Sequence, residues 1–300
     1  MTEDATTGFG HGKVILLGEH AVVYGQPAVA AGMQVGVRAH ASTGTGCVRA
    51  PAWQLDLQVG DDSPVIAAID RLCQRLGVAS RDLDLWLEAE VPARAGLGSS
   101  AAMAVAVARA VAARTGAGEE DVLAAAAAAE AVFHKTPSGI DAAVASRGGV
   151  GRFDREAGWQ ATPIRQPIEL CVGLSGQTRQ TSDLVSAVAD LCERTPVARR
   201  LIDALGDLAR AGMEALASGD RESLGHQFNM AHGLLSGLGV STPELDALVR
   251  AARAAGALGA KLTGAGGGGA VIALAPDRAE DVLKRWRSLG CYGFLTLVGK

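Results

Sequence analysis

The sequence predicts an α+β protein built as two lobes. Its 300 residues, 48% hydrophobic and 20% charged, provide enough chain for one large or two modest cores. Strand and helix patterns alternate along it, and the pattern changes near residue 149, from strands with alanine-rich helices to short strands followed by four helical stretches. We place the lobes at residues 1–158 and 159–300.

The segment "GKVILL" (12–17) reads as a buried strand, and "QVGVRAHAS" (34–42) alternates Val35, Val37 and Ala39 with polar neighbours, the period of a half-buried strand. In "SPVIAAIDRLCQRLG" (63–77) the spacing of Ile66, Ile69, Leu72 and Leu76 predicts a helix that stops at Gly77. "LDLWLEAEV" (83–91) is a strand leading into "PARAGLGSS", and a helix follows from Ser100 to Arg114. A second alanine-dominated helix spans 119–134, and another starts near Ile140. Beyond it come strands at 149–153 and 168–174, then helices between 181 and 256 broken near Thr195–Pro196, Gly219 and Thr242–Pro243. The chain closes with a glycine-rich turn between two strands, a helix at 277–289 and a strand at 292–298.

Composition narrows the function. A formal charge of −4, with no basic stretch interleaved with aromatics, excludes a nucleic-acid groove and points to small-molecule partners. Five scattered cysteines without a CxxC pair fit neither a disulfide framework nor a zinc site, so we expect reduced thiols in the cytoplasm. The N-terminus is acidic where a signal peptide would be basic, and no apolar run reaches the roughly 18 residues of a membrane span, so neither export nor a membrane partner is expected. The 28 cations include only five lysines, at 13, 135, 261, 284 and 300, and three of these fall in glycine-rich segments.

Two nucleotide motifs are ruled out. The Gly12–Lys13 pair has Thr7 five positions upstream and Val14 after it, so it is no P-loop. "GAGGGG" (264–269) matches GxGxxG but runs on into a strand rather than opening a helix. In "AGLGSSAA", Gly96, Leu97, Gly98, Ser99, Ser100 and Ala101 form a turn at a helix start, where free N–H groups can cradle phosphate and the hydroxyls can bind phosphate or a hard cation. Those same features serve an ordinary serine-capped helix equally well.

The neighbouring motifs supply charge. Glu130 lies in an alanine face, where a carboxylate needs a cation. Asp141 enters the first turn of a helix, which suits a functional carboxylate or a plain helix-start aspartate; His134 reads as a packed histidine. "GKVILLGEHAVVYG" puts Lys13 on a strand and Glu19, His20 and Tyr24 in the turn after it, a polar pocket better suited to substrate than to metal. "KLTGAGGGGA" (261–270) has more glycine than a hairpin needs; we read Gly264, Gly266 and Gly267 as a second phosphate-facing wall with Thr263 at its edge.

In this order and at these separations, "GKVILLGEHAVVYGQPAVA", "GLGSSAA", "TPSGID" and "KLTGAGGGG" resemble the GHMP kinase superfamily, most of all its mevalonate kinase family, from about residue 8 to the end. The resemblance implies an N-terminal α/β lobe with a left-handed βαβ-type phosphate loop and a C-terminal ferredoxin-like α+β lobe. It implies ATP and Mg²⁺ as cofactors, with ATP held at the serine loop, Lys13 and Asp141 as the catalytic pair, and Ser100 and Glu130 as metal ligands. Glu19, His20, Tyr24 and Thr263 then surround the acceptor. The sequence departs from the family with Gly10–His11–Gly12 in place of Ala-Pro before the GK, and Lys135 in place of a glycine. "VGLSGQTRQTSDLV" (172–185) also lacks an expected Asp. The implied activity is phosphorylation of the primary hydroxyl of mevalonate, with no nucleic-acid or membrane partner, and the resemblance admits a homodimer. Two alternatives stay open: a kinase of phosphomevalonate or of the mevalonate 3-hydroxyl, and a catalytically inactive small-molecule sensor.

Overall fold

The structure is a computed structural model that describes residues 4–133, 139–154, 156–177 and 181–299. His134, Lys135 and the first part of "TPSGID" lie outside the described residues. In chain order the strands are β1 (Thr6–Leu17), β2 (Ala28–Thr43), β3 (Cys47–Ala50), β4 (Leu55–Gln58), β5 (Leu83–Ala89), β6 (Val150–Asp154), β7 (Gly158–Ala161), β8 (Ile168–Leu174), β9 (Gly259–Thr263), β10 (Ala270–Leu274) and β11 (Gly293–Val298). The helices are α1 (Pro64–Arg75), α2 (Ser99–Thr115), α3 (Glu119–Phe133), α4 (Ile140–Arg147), α5 (Thr181–Arg194), α6 (Pro196–Ser218), α7 (Arg221–Gly237), α8 (Pro243–Ala254) and α9 (Ala279–Ser288). The fold is therefore mixed α and β, as expected. Among the described residues, no helix is long and apolar enough to cross a membrane.

The chain forms two compact units that interleave in sequence. The first comprises Met1–Lys13, Val35–Ala93 and Gly98–Arg147; the second comprises Val14–Gln34, Arg94–Leu97 and Gly148–Lys300. Both β1 and β2 thus contribute residues to each.

In the first unit the sheet runs β4-β3-β5-β2, with β1 also pairing with β2. The β2–β5 register is antiparallel and sets Val37 opposite Ala89. Helix α2 is almost wholly buried because its side chains are nearly all small. Its composition is matched by the "GFGHG" stretch of β1. A Cβ placed on Gly10 would stand 2.1 Å from the Ala102 carbonyl oxygen, and one on Gly8 would stand 2.2 Å from that of Ala106. Strand backbone therefore rests directly on helix backbone, which explains why β1 extends to Thr6: no apolar period marks that end of the strand, because glycine rather than a large side chain faces the helix. Helix α3 packs on α1 and α2 and carries Glu130 in its last turns.

In the second unit, β8 is flanked by β11 and β10, β10 pairs with β9, and the first half of β2 joins β6 and, through Met33 and Val298, β11. Pro196 and Pro243 open their helices behind Thr195 and Thr242, whose side chains accept from backbone N–H groups, so the expected breaks are capped helix starts. Helix α7 packs on β9, and α9 buries Trp286, whose indole N–H donates to the Leu248 carbonyl at 2.9 Å.

Candidate active site

The first unit gathers Lys13, Ser100, Glu130 and Asp141. Lys13 ends the first unit's share of β1, and its side chain is 7% exposed. An ammonium so enclosed needs a counter-charge, and Asp141 supplies it, with Oδ1 2.9 Å from Nζ. Asp141 sits in the first turn of α4, where the peptide dipoles favour an anion, and its side chain is 32% exposed. The pair is thus closed on the lysine side and open on the carboxylate side.

Glu130 is buried, and the Ser100 side chain hydrogen-bonds its carboxylate. Its other oxygen, Oε1, is buried with no hydrogen-bond partner. Burial, and then the negative charge of Asp141, push its pKa up to about 7, against the opposing effects of Ser100 and Lys13. A carboxyl poised in this way lacks one positive charge. Hydroxyl and carboxylate oxygens are hard donors, the kind a Mg²⁺ ion shares with waters and phosphates, so the donor set fits that ion. Among the described residues no cluster of three or more His, Cys, Asp or Glu exists that could enclose a metal by itself.

The start of α2 separates two readings of the serine loop. The residue before the helix is Gly98, held at φ 71, and no side chain caps the helix. Ser99 and Ser100 are already helical, so neither serves as the N-cap that an ordinary helix start would need. The Gly98 carbonyl takes the Ala102 N–H at 2.9 Å, while the N–H groups of the first turn face away from the helix ladder, as an anion site requires.

The second unit holds the remaining candidates. Two alternate residues at the end of β9, and one in the loop just after it, engage the end of β1 and its turn. Lys261 pairs with Glu19. The Thr263 hydroxyl accepts from the Ile15 N–H and donates to the Ile15 carbonyl, both at 2.9 Å, and the Ala265 carbonyl lies 2.8 Å from His20 Nε2. A carbonyl only accepts, so Nε2 carries the proton. His20 has φ 60, an uncommon conformation for a residue with a Cβ, and burial lowers its pKa, which keeps the imidazole neutral near pH 7. Tyr24 ends the 3-10 turn Ala21–Tyr24, with the Arg199 guanidinium 4.8 Å from its ring centre. Lys261 is the member that sequence reasoning passed over. Its signal was there, a scarce lysine in a glycine-rich segment, but its partner lies 242 positions away.

The glycine loop after β9 shows what crowds its backbone. A Cβ on Gly266 would meet the Val240 carbonyl oxygen at 2.2 Å, and one on Gly268 the Gln177 oxygen at 2.5 Å. The Gly267 N–H donates to Val240 at 2.7 Å, and the Gly269 N–H to Gln177 at 2.7 Å. Much of the glycine requirement thus comes from the protein's own carbonyls. The loop also meets the first part of the serine loop, since a Cβ on Gly264 would stand 3.7 Å from the Gly96 oxygen and one on Gly269 would stand 3.0 Å from that of Ala95.

Comparisons with known proteins place the chain in a family. Residues 63–149 match the model of the GHMP kinases N terminal domain, and residues 213–290 match that of the GHMP kinases C terminal. The mevalonate kinase of Pyrococcus horikoshii is 33% identical, over 96% of this chain and 94% of its own. That of Aeropyrum pernix is 38% identical, over 88% and 86%. Among solved structures, L. major mevalonate kinase in complex with R-mevalonate has a TM-score of 0.86 at 30% identity, over 98% of this chain and 95% of that one. The mevalonate kinase of Methanococcus jannaschii shares the fold at a TM-score of 0.85 and 21% identity, covering 100% of both chains.

Proposed function

The chain belongs to the GHMP kinase family, and from that premise we propose that it transfers the γ-phosphoryl group of ATP to the primary hydroxyl of (R)-mevalonate, giving 5-phosphomevalonate. The observation that carries the proposal is the Lys13–Asp141 pair beside the Ser100–Glu130 contact. Curated relatives named mevalonate kinase and a neighbour solved with R-mevalonate support the choice of acceptor.

Phosphoryl transfer depends mainly on positioning and on neutralising the charge that spreads over the equatorial oxygens. Lys13 offsets that charge and favours the alkoxide form of the acceptor. Asp141, held by Lys13, orients the hydroxyl and accepts its proton. Carboxylates are feeble bases for an alcohol, so orientation is the larger part of its role. Gly96, Leu97, Gly98, Ser99, Ser100 and Ala101 line the phosphates, with backbone N–H groups as donors. Ser100 and Glu130 are the residues that would hold Mg²⁺, which when bound neutralises the β and γ phosphates.

Glu19, His20 and Tyr24 are assigned to the acceptor. Thr263, whose hydroxyl is taken up by Ile15, serves it by fixing the end of β1. Gly264, Gly266 and Gly267 shape the second glycine loop. Separate family matches at 63–149 and 213–290 support treating 1–158 and 159–300 as the protein's two lobes.

The test is ADP release from Mg²⁺–ATP with mevalonate, phosphomevalonate, homoserine and galactose as acceptors. We expect turnover on mevalonate. A preference for another acceptor reassigns the substrate, and no turnover on any supports the sensor.

A further inference from the structure

The Lys261–Glu19 pair takes no part in the transfer step described above, although Glu19 belongs to the turn assigned to the acceptor. Lys261 stands in the middle of β9, opposite Ile272 of β10, and both members of the pair have side chains with 0% exposure. The ammonium also donates to the Leu262 carbonyl at 2.6 Å and lies 6.0 Å from the Phe228 ring centre. Burial presses the lysine toward its neutral form, and the Glu19 carboxylate works against that.

Stability alone does not account for such a pair. Removing two charges from water offsets most of their attraction, and well-packed apolar residues of similar volume usually serve as well or better. What an ion pair gives that leucine cannot is a fixed direction for one carboxylate. Here that carboxylate begins the turn whose next residue, His20, is held at a positive φ. Residues 261, 263 and 265 hold Glu19, Ile15 and His20 respectively, so β9 and the loop after it grip the turn at two points and the strand that leads into it at a third.

We infer that Lys261 is a positioning residue for the acceptor, acting through Glu19 to fix the turn that carries His20. The inference rests on the functional reading above, in which that turn faces the acceptor.

A double-mutant cycle on KM tests it, using whichever acceptor of the panel the wild type phosphorylates. Lys261→Met and Glu19→Gln should each raise the acceptor KM by about tenfold or more while leaving the ATP KM within about twofold. The double variant should be no more than about twofold worse than Glu19→Gln alone, because a residue that acts through Glu19 adds nothing once Glu19 is replaced. If Lys261→Met fails to fold, the comparison of the double variant with Glu19→Gln still decides, since the double leaves no unpaired buried charge. A further tenfold loss in the double, an unchanged acceptor KM in folded Lys261→Met, or an equal rise in both KM values would each overturn the inference. Turnover on an acceptor other than mevalonate would overturn the substrate assignment and leave the cycle readable. No turnover on any acceptor would overturn both.

Discussion

Each unit contains a lysine joined to a carboxylate, and the two pairs are built differently. Lys13 and Asp141 meet at 2.9 Å with the carboxylate about one-third exposed, whereas Lys261 and Glu19 are sealed on both sides. An open pair can exchange a proton with a bound hydroxyl and can shift its charge as a reaction proceeds. A sealed pair can do neither, and what it supplies is geometry. The same two functional groups therefore take different roles according to access, which the residue types alone do not reveal.

The strongest way to break this contrast is at the open pair. Asp141→Ala should lower kcat by about 10³-fold while the ATP KM stays within about threefold, measured by steady-state ADP release. Its melting temperature should fall, because the enclosed Lys13 ammonium then loses its counter-charge, so the assay is run well below the variant's melting point. An unchanged kcat would remove Asp141 from the mechanism.

A second measurement sharpens the sealed side. His232, on α7, accepts from the Leu262 N–H through Nδ1 and donates through Nε2 to Asp246 at 3.1 Å. Burial first, and then the Arg253 charge, push its pKa down to about 4, with Lys261 adding to the shift and Asp246 opposing it. For a base depressed in the folded state, the unfolded chain binds more protons between the two pKa values. This contribution to stability is complete above about pH 6.5 and is lost as pH falls toward 4, by up to about 3 kcal/mol. Denaturant unfolding across that range should show the loss in the wild type and a flatter profile in His232→Gln. Equal profiles would mean that protonation there is harmless.

The smallest effect concerns support rather than charge. Gly10→Ala would place a methyl 2.1 Å from the Ala102 carbonyl oxygen, and should destabilise by about 1–3 kcal/mol as strand and helix part. Thermal melting checks this, and a melting curve unchanged from wild type would show that β1 shifts freely.

Regular patterns made most of the fold legible. Among the helices after residue 181, α6 and α8 were readable because proline after threonine marks their starts, α7 because Gly219 marks the break before it, and β5 because its apolar side chains alternate. Strands β3, β4 and β7 were not, since four residues carry too little periodicity. Of the candidate site, Lys13, Ser100, Glu130 and Asp141 stood out because glycine, scarce lysine and a carboxylate in an alanine face are visible in a short window, while their roles came from the family resemblance. The Lys261–Glu19 pair could not, because its meaning depends on two segments brought together by the sheet. The glycine loop was read as making room for a ligand, whereas the backbone of Val240 and Gln177 occupies much of that room.

Helix α2 has one more consequence, and it concerns entropy. Eight of its 17 residues are alanine, which has no rotamers to lose on burial. A helix of leucine or methionine would give up about 0.5–2 kcal/mol of side-chain freedom per buried residue. Here, among the buried side chains, only those of Met103, Val105, Val107 and Val111 have rotamers to lose. The N–H groups in the first turn of α2 thus belong to a helix whose burial costs little side-chain entropy, which leaves more of the packing free energy to hold them in place for an anion.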